Sequence, residues 1–210
     1  GGSRAYVQRL LKDLGPRAQA NASVAGVMRE EAGVAIRVEG NPHVERFDRV
    51  VLACHADDAL RLIKAPTAAE VAALSAFKYS HNRTLLHADP EVLPRRKAAW
   101  ASWNCDIADC RDDNAPVSMT YHLNRLQTFR SAHQYGVTLN PHSQPNGPVF
   151  AEMAYTHPIL DRAAIRAQQS VRDLSGRDHI HFAGAHLYNG FHEDGIRSGV
   201  DVARALGVEF

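Results

Sequence analysis

The chain has 210 residues, of which 45% are hydrophobic and 22% are charged, as is ordinary for a soluble globular protein. Its formal net charge of +1 gives no indication of a nucleic-acid partner or of binding to an anionic membrane surface. No apolar run is long enough to span a bilayer, and an odd number of cysteines, three, favours a reducing cytoplasm over a disulfide framework.

The first part of the chain predicts one helix followed by three short strands. Ser3 is a good helix N-cap residue, the apolar residues after it recur at helical spacing, and Gly15-Pro16 would end the helix. Residues 24–29 and 33–38 are typical of two strands joined by an acidic turn. Residues 50–53 form a continuous apolar run, which predicts a strand covered on both faces.

Two helices are predicted after this strand, each with its own start signal. Asp57 or Asp58 would cap the first helix. Thr67 and Glu70 have the spacing of a capping box and would begin the second.

From Lys78 the pattern changes to short segments rich in aromatic and β-branched residues. Polar or proline-containing loops separate five of them, at residues 84–87, 98–103, 116–121, 135–139 and 149–155. Five strands at this spacing predict one mainly antiparallel sheet. Asp161 would then cap a helix that ends at Ser175-Gly176 and lies outside the sheet. The fold class predicted is α/β, in the sense of an α+β mixture.

The C-terminal stretch has the most informative local pattern. An apolar run at residues 180–183 predicts a buried strand, and Gly184 ends it. A polar segment with several glycines follows, and the apolar period becomes helical from Gly195. The predicted helix N-terminus at residues 193–196 presents backbone N–H groups and the positive end of the helix dipole. Such an end can bind an anion or an electron-rich carbonyl edge.

The order of residues 189–199, Asn-Gly-Phe-His-Glu-Asp-Gly-Ile-Arg-Ser-Gly, resembles the C-terminal flavin-binding segment of the FAD-dependent amine-oxidase-like superfamily. More narrowly, the chain resembles a bacterial branch of predicted NAD/FAD-binding oxidoreductases. The resemblance covers nearly the whole chain, because further segments match in the same order, at residues 50–60, 83–84, 100–103, 124–127 and 155–158. It implies a flavoenzyme that oxidises or desaturates an organic small molecule, and it suggests a lipid-related substrate.

The same resemblance implies where FAD would bind. The N-terminus of the C-terminal helix would lie under the pyrimidine edge of the isoalloxazine ring, and the backbone of Val24 would contact the adenine. Many amine oxidases have a glutamate that contacts the ribityl chain where this chain has Ala185. The cofactor-binding residues expected on this basis are Val24, Ala53, Gly184, Gly190, Phe191, His192, Glu193, Asp194, Gly195 and Ser198.

The family also has a strand–Gly-x-Gly-x-x-Gly–helix unit that holds the FAD pyrophosphate, and this pattern is not found in the 210 residues. The chain is therefore expected to be the C-terminal part of a longer flavoprotein. Residues 1–60 and 177–210 would form a partial FAD-binding domain, and residues 61–176 a substrate domain. Uncovered apolar strands at residues 50–53 and 180–183 would favour self-association.

Residues of the predicted sheet are candidates for the substrate pocket. Aromatic side chains beside a flavin would exclude water, and Arg125 could bind a substrate carboxylate. Each candidate also has a structural explanation, as a core residue or as a surface charge. No catalytic residue is predicted. The candidates are Trp100, Trp103, Asn104, Tyr121, Asn124, Arg125 and Tyr155.

Two other classes of function stay open. The chain could be a non-catalytic fragment that cannot hold FAD alone. It could also be a histidine-rich metal-binding module, since His181, His186 and His192 occur close to Glu193 and Asp194. Their spacing matches neither the one-turn histidine pair of a helical zinc site nor an established loop motif, so we predict no metal ligands.

Overall fold

In the computed structural model of this chain, helix α1 (Ser3–Leu14) precedes a three-stranded antiparallel sheet. Strands β1 (Val24–Glu30), β2 (Gly33–Val38) and β3 (Val44–Phe47) pair in the order β1-β2-β3. The sequence predicts α1, β1 and β2 but not β3, because the residues of β3 are exposed or half-buried and no apolar alternation marks them. All described residues of α1 are exposed, including those of its apolar stripe.

A parallel strand pair joins two distant parts of the chain. Strand β4 (Val50–Leu52) lies beside β10 (Ile180–Phe182), and Val51 is the partner of His181. One face of β4 is uncovered, as expected for residues 50–53, because the side chain of Val51 is 40% exposed whereas Leu52 is buried. The prediction that residues 180–183 are uncovered is wrong, because Ile180, Phe182 and Ala183 are buried and helix α5 packs on β10.

Three helices belong to the same part of the fold, α2 (Ala56–Leu62), α3 (Ala68–Leu74) and α5 (Arg162–Leu174). Helix α5 packs on β10, α3 packs on α5, and α2 packs on α3 and β1. The capping box before α3 is confirmed, since Thr67 Oγ1 accepts from the N–H of Glu70 and the N–H of Thr67 donates to Glu70 Oε2. The cap of α5 is confirmed too, because Asp161 Oδ1 accepts from the N–H groups of Ala163 and Ala164 at 2.9 Å.

The strands from Lys78 onward form a second, five-stranded sheet. Its members are β5 (Lys78–His87), β6 (Trp103–Ile107), β7 (Val117–His122), β8 (Gly136–Leu139) and β9 (Val149–Ile159), in the order β6-β7-β8-β5-β9. The pairs β6/β7, β7/β8 and β8/β5 are antiparallel, which confirms the predicted sheet. The short helix α4 (Leu123–Leu126) follows β7 directly.

One strand of this sheet lies at a different place from the prediction. Residues 97–99 form a 3-10 turn, and β6 begins only at Trp103. The indole N–H of Trp100 donates to the carbonyl of Pro94 at 2.7 Å, so Trp100 is held by the preceding loop. The predicted strand at residues 98–103 is therefore wrong for all but its last residue.

The described residues, 3–112 and 115–209, form two compact units. The first comprises the described residues up to Lys78 and from Leu160 onward, and the second is Tyr79–Ile159. The sequence instead predicts divisions after residues 60 and 176. The boundaries differ because α3 packs against α2 and α5, which places all three helices in the first unit. Within the described ranges, no helix is long and apolar enough to cross a membrane.

Candidate functional site

The carboxyl ends of the parallel strands β4 and β10 meet at one edge of the first unit. The N–H of Ala183 donates to the carbonyl of Leu52 at 3.1 Å, which keeps the two chain segments together beyond the last strand pair. A Cβ added to Gly184 would lie 3.5 Å from the carbonyl oxygen of Cys54 and 2.5 Å from the ring of His186. Gly184 is therefore needed for this close approach. In α/β proteins, ligands bind beyond the carboxyl ends of parallel strands.

A tightly hydrogen-bonded loop leads from this edge into helix α6 (His192–Ala205). The N–H of Leu187 donates to the carbonyl of Gly184, and the N–H of Gly190 donates to that of Ala185, both at 3.1 Å. Gly190 has φ of 90°, a left-handed conformation that favours glycine.

Helix α6 begins at His192, one residue before the N-terminal turn that the sequence predicts at residues 193–196. The carboxylate of Asp194 accepts from the N–H of Phe191 at 2.9 Å, and the N–H of Gly195 donates to the carbonyl of Phe191 at 3.1 Å. These two bonds bring His192 to Asp194 into the first turn. Gly207, with φ of 87°, ends the helix as predicted.

Ser198 ties α6 to the end of β10. Its hydroxyl oxygen accepts from the N–H of Gly184 at 2.9 Å and donates to the carbonyl of Gly195 at 2.7 Å. Its side chain is buried, and its hydroxyl hydrogen is used in the bond to Gly195 within the helix. The serine predicted as a cofactor ligand thus has a structural role in this chain.

The N-terminal end of α6 presents an exposed apolar and glycine-containing surface. Phe191 and Ile196 are 55% and 63% exposed, although both are large and apolar. A Cβ at Gly195 would meet its nearest heavy atom only at 4.0 Å, and one at Gly199 would meet none within 4 Å. Glycine inside a helix costs about 1 kcal/mol relative to alanine, and among the described residues no close neighbour requires it at either position. The donor-rich, slim end of the helix fits the polar edge of a flat ligand such as the flavin ring.

His186 lies buried behind this surface. Its ring makes an edge-to-face contact with Phe77, with ring centroids 5.0 Å apart. Burial, with a smaller effect from the nearby His55, lowers the pKa of His186 to about 4. The imidazole is therefore neutral at neutral pH and acts as part of the core.

The residues that follow β4 carry titratable groups close together. Burial, and then the carboxylates of Asp58 and Asp57, raise the pKa of the Cys54 thiol, so this thiol is not an activated nucleophile. The predicted cap of α2 by Asp57 or Asp58 is wrong, because both lie within its first turn and His55 occupies the cap position.

A possible set of metal ligands lies apart from the histidines that the sequence singles out. In the described part of the chain, His55, Asp57 and Asp58 can bring ligand atoms within 4.8 Å of one another. Asp58 is also paired with Arg61. His181 and His186 are buried, whereas His192 is exposed at the start of α6.

The remaining expected cofactor residues are distributed over both sheets of the first unit. Ala53 is exposed just beyond β4, at the edge that also carries Gly184. Val24 lies at the start of β1, pairs with Val38 and is partly exposed. Glu193 is exposed in the first turn of α6.

Three substrate-pocket candidates lie on one face of the five-stranded sheet. Trp103 and Tyr121 are cross-strand partners whose rings meet edge to face, 5.5 Å between centroids. The register of β5, β8 and β7 places Leu86, and with it Asn82 four residues earlier, on the face of Tyr121. The side chain of Asn82 is hydrogen-bonded to His157, whose ring contacts that of Tyr155. Tyr155 is therefore on the same face.

The other candidates do not share this face. Trp100 packs edge to face on His122, which points to the opposite side of β7 from its neighbour Tyr121. Asn104 is buried on that opposite side and bonds the backbone of Ala101. Asn124 holds the loop before β8 through the N–H of Tyr135 and the carbonyl of His133, and Arg125 is exposed.

A cavity of about 650 Å³ in the second unit lies on the opposite side of this sheet from Trp103. A hydrogen-bonded chain lies along its floor. The N–H of Asp89 donates to His87 Nδ1, so Nε2 carries the proton and donates to Thr138, which is bonded to Thr120. Burial lowers the pKa of His87, in keeping with a neutral ring.

Sequence reasoning misses the side chains that hold the loop between β10 and α6. These are Gln168 and Arg172 of α5, whose bonds go to loop carbonyls, and Tyr188 of the loop itself. One sequence feature could have indicated them. Gln168 and Arg172 are four residues apart on α5, and each directly follows a buried residue, Ala167 and Val171 respectively.

Comparison with known proteins finds no matching family model and no matching curated protein. Solved structures do match. Putrescine oxidase bound to putrescine has a TM-score of 0.66 at 15% identity, covering 99% of this chain and 53% of that protein. Cyclohexylamine oxidase from Brevibacterium oxydans IH-35A has a TM-score of 0.66 at 13% identity, covering 98% of this chain and 52% of that protein. The CLA-producing fatty acid isomerase from P. acnes has 0.65 at 16%, also covering 98% and 52%.

These matches concern the fold. The chain has the fold of the corresponding part of putrescine oxidase and cyclohexylamine oxidase, which confirms the fold class predicted from the sequence. It spans about half the length of the solved structures it matches.

Proposed function

We propose that this chain is the C-terminal part of an FAD-dependent oxidoreductase of amine-oxidase-like fold that oxidises or desaturates an organic small molecule. The observation that carries the proposal is the exposed N-terminus of α6, which begins beyond the carboxyl ends of β4 and β10 and has Gly195 in its first turn. The likeness to putrescine oxidase and cyclohexylamine oxidase supports an oxidase, and the fatty acid isomerase supports a lipid-related substrate.

The first turn of α6 would bind the polar edge of the flavin. Its backbone N–H groups and the helix dipole favour an edge that gathers negative charge. Gly195 and Gly190 would let the ring approach the backbone, and Phe191 would cover its apolar part. When bound, the cofactor supplies the electron chemistry, and this chain supplies position and exclusion of water. The cofactor residues proposed are Val24, Ala53, Gly184, Gly190, Phe191, His192, Glu193, Asp194 and Gly195, with Ser198 acting through Gly184.

The aromatic face of the five-stranded sheet would serve the substrate. Trp103, Tyr121 and Tyr155 share this face, and their rings would exclude water from an apolar substrate. Trp100, Asn104 and Asn124 would then act only as supports of the sheet and its loops.

The test is the visible absorption spectrum of the native protein that contains this chain, purified without added cofactor. We expect flavin bands, and release of FAD on denaturation. If no flavin is bound, and the protein does not quench FAD fluorescence during a titration, the proposal is wrong and a non-catalytic role is favoured.

A further inference from the structure

Helix α5 holds three consecutive carbonyl groups of the loop that precedes α6. The side-chain amide of Gln168 donates to the carbonyls of His186 at 3.0 Å and Tyr188 at 2.6 Å. The guanidinium of Arg172 donates to the carbonyl between them, that of Leu187, at 2.7 Å. The two side chains thus determine the direction of three successive peptide groups.

The middle of this loop is held from a second side as well. The ring of Tyr188 is contacted by the guanidinium groups of Arg172 and Arg197, at 5.2 and 4.2 Å from its centroid. Its hydroxyl donates to Asp201 of α6, and this bond raises the pKa of Tyr188. Tyr188 therefore couples the loop to both α5 and α6.

The loop is short, so its shape determines where the helix begins. Only Asn189 and Gly190 separate Tyr188 from Phe191, whose N–H is bound by Asp194 in the first turn of α6. A peptide group that turned away at residues 186–188 would shift Phe191 and the first-turn amides with it. The hydrogen bonds that Gln168 and Arg172 donate to this loop go to the carbonyls of His186, Leu187 and Tyr188, which are not among the proposed cofactor residues.

We propose that Gln168 and Arg172 are positioning residues of the flavin site, a role that rests on the proposed function. They hold the loop in its binding conformation before FAD arrives, so the amides of α6 are preorganised and less free energy is spent on ordering the loop. Without the bonds of Gln168 the free protein populates other loop conformations, and FAD affinity falls by the fraction that stays competent. We expect about a tenfold loss.

The test uses three variants of the native protein. Gln168→Leu removes both bonds, and Gln168→Glu keeps the shape of the side chain but replaces the donating amide by a carboxylate. Ser170→Leu is the matched control, because Ser170 is exposed on the same helix. Hydrogen exchange of the Leu187, Tyr188 and Gly190 amides is measured without FAD, and FAD affinity and the flavin absorption spectrum are measured with it.

We expect faster exchange of these three amides and about tenfold weaker FAD binding in both Gln168 variants, with both quantities unchanged in Ser170→Leu. If Gln168→Leu does not fold, Gln168→Glu still tests the inference, because circular dichroism should show native helix content in Gln168→Glu. Unchanged exchange and equal FAD affinity in a protein that does bind FAD would overturn this inference alone. Absence of FAD binding in the unsubstituted protein would overturn the proposed function, and this inference with it.

Discussion

The hydroxyl oxygen of Ser198 accepts a hydrogen bond from the backbone N–H of Gly184 across 2.9 Å. This bond joins the second turn of α6 to the end of strand β10. Because the same hydroxyl donates to the carbonyl of Gly195, one side chain connects the strand end and the glycine of the proposed flavin contact. Ser198 therefore influences the site through the backbone of these two glycines.

Replacing Ser198 by alanine should destabilise the protein. The partly buried N–H of Gly184 would lose its acceptor, and a donor left unsatisfied in this way costs about 1–3 kcal/mol. The free energy of unfolding from urea denaturation measures this loss. The exposed Ser170→Ala on α5 is the matched control and should change stability by less than about 0.5 kcal/mol. Equal stability of the two variants would contradict the role assigned to Ser198.

Replacing Gly184 and Gly199 by alanine should change the free energy of unfolding in opposite directions. Gly184→Ala would place a methyl group 2.5 Å from the ring of His186, and such overpacking costs about 1–3 kcal/mol. Gly199→Ala meets no heavy atom within 4 Å and should raise the free energy of unfolding of the FAD-free protein by about 0.5–1 kcal/mol. Thermal unfolding of both variants checks this, and destabilisation by Gly199→Ala would show that the helix surface is crowded after all.

His186 should make stability fall as the solution becomes acidic. Its pKa is about 4 in the folded protein, below the ordinary value of 6.5, because burial and the charge of His55 disfavour the protonated ring. Above pH 6.5 the ring is neutral in both states. Between pH 6.5 and 4 the unfolded chain takes up the proton first, so about 2–4 kcal/mol of stability is lost over this range.

The measurement is the free energy of unfolding against pH for the wild type and for His186→Leu. The variant should lose this part of the slope. His192→Leu, at an exposed position, is the control and should keep the wild-type slope. A His186→Leu variant with the full wild-type slope would contradict the assignment.

Much of the fold follows from local signals in the sequence. The capping box of Thr67 and Glu70 and the cap at Asp161 depend on neighbouring residues only, and both are correct. The N-terminal turn of α6 is predicted to within one residue, and the bond from the N–H of Phe191 to Asp194 holds its first residues. The strand predicted at residues 98–103 does not form before Trp103, because Trp100 is bound by the loop at Pro94.

The candidate site is less predictable from the sequence, because its geometry depends on distant partners. The glycines and the exposed aromatic residue at the start of α6 mark the site locally. In contrast, Gln168 and Arg172 bind carbonyl groups 15 to 20 residues away, and a carbonyl has no sequence signature. Trp100 and Trp103 lie on different faces because Trp100 belongs to the loop before β6, where Pro94 binds its indole and His122 contacts its ring.

The 210-residue chain alone should bind FAD about a thousandfold more weakly than the native protein, or not measurably. The diphosphate would lack the donors of a Gly-x-Gly-x-x-Gly turn, which the sequence does not contain. Several charge-assisted hydrogen bonds, each worth about 1.5–3 kcal/mol, would be lost, and each 1.4 kcal/mol is about a factor of ten in affinity. A fluorescence titration measures this, and saturation at sub-micromolar FAD would refute the fragment interpretation.

The most direct test of the central claim is the FAD affinity of the native protein after Gly195→Leu. Leucine is a strong helix former and would extend over the first turn of α6, where the flavin edge is proposed to bind. Arg204→Leu, exposed in the last turn of the same helix, is the matched control. We expect Gly195→Leu to bind FAD at least about tenfold more weakly while keeping native helix content. Arg204→Leu should bind FAD as the unsubstituted protein does. Equal FAD affinity of Gly195→Leu and the unsubstituted protein would contradict the central claim.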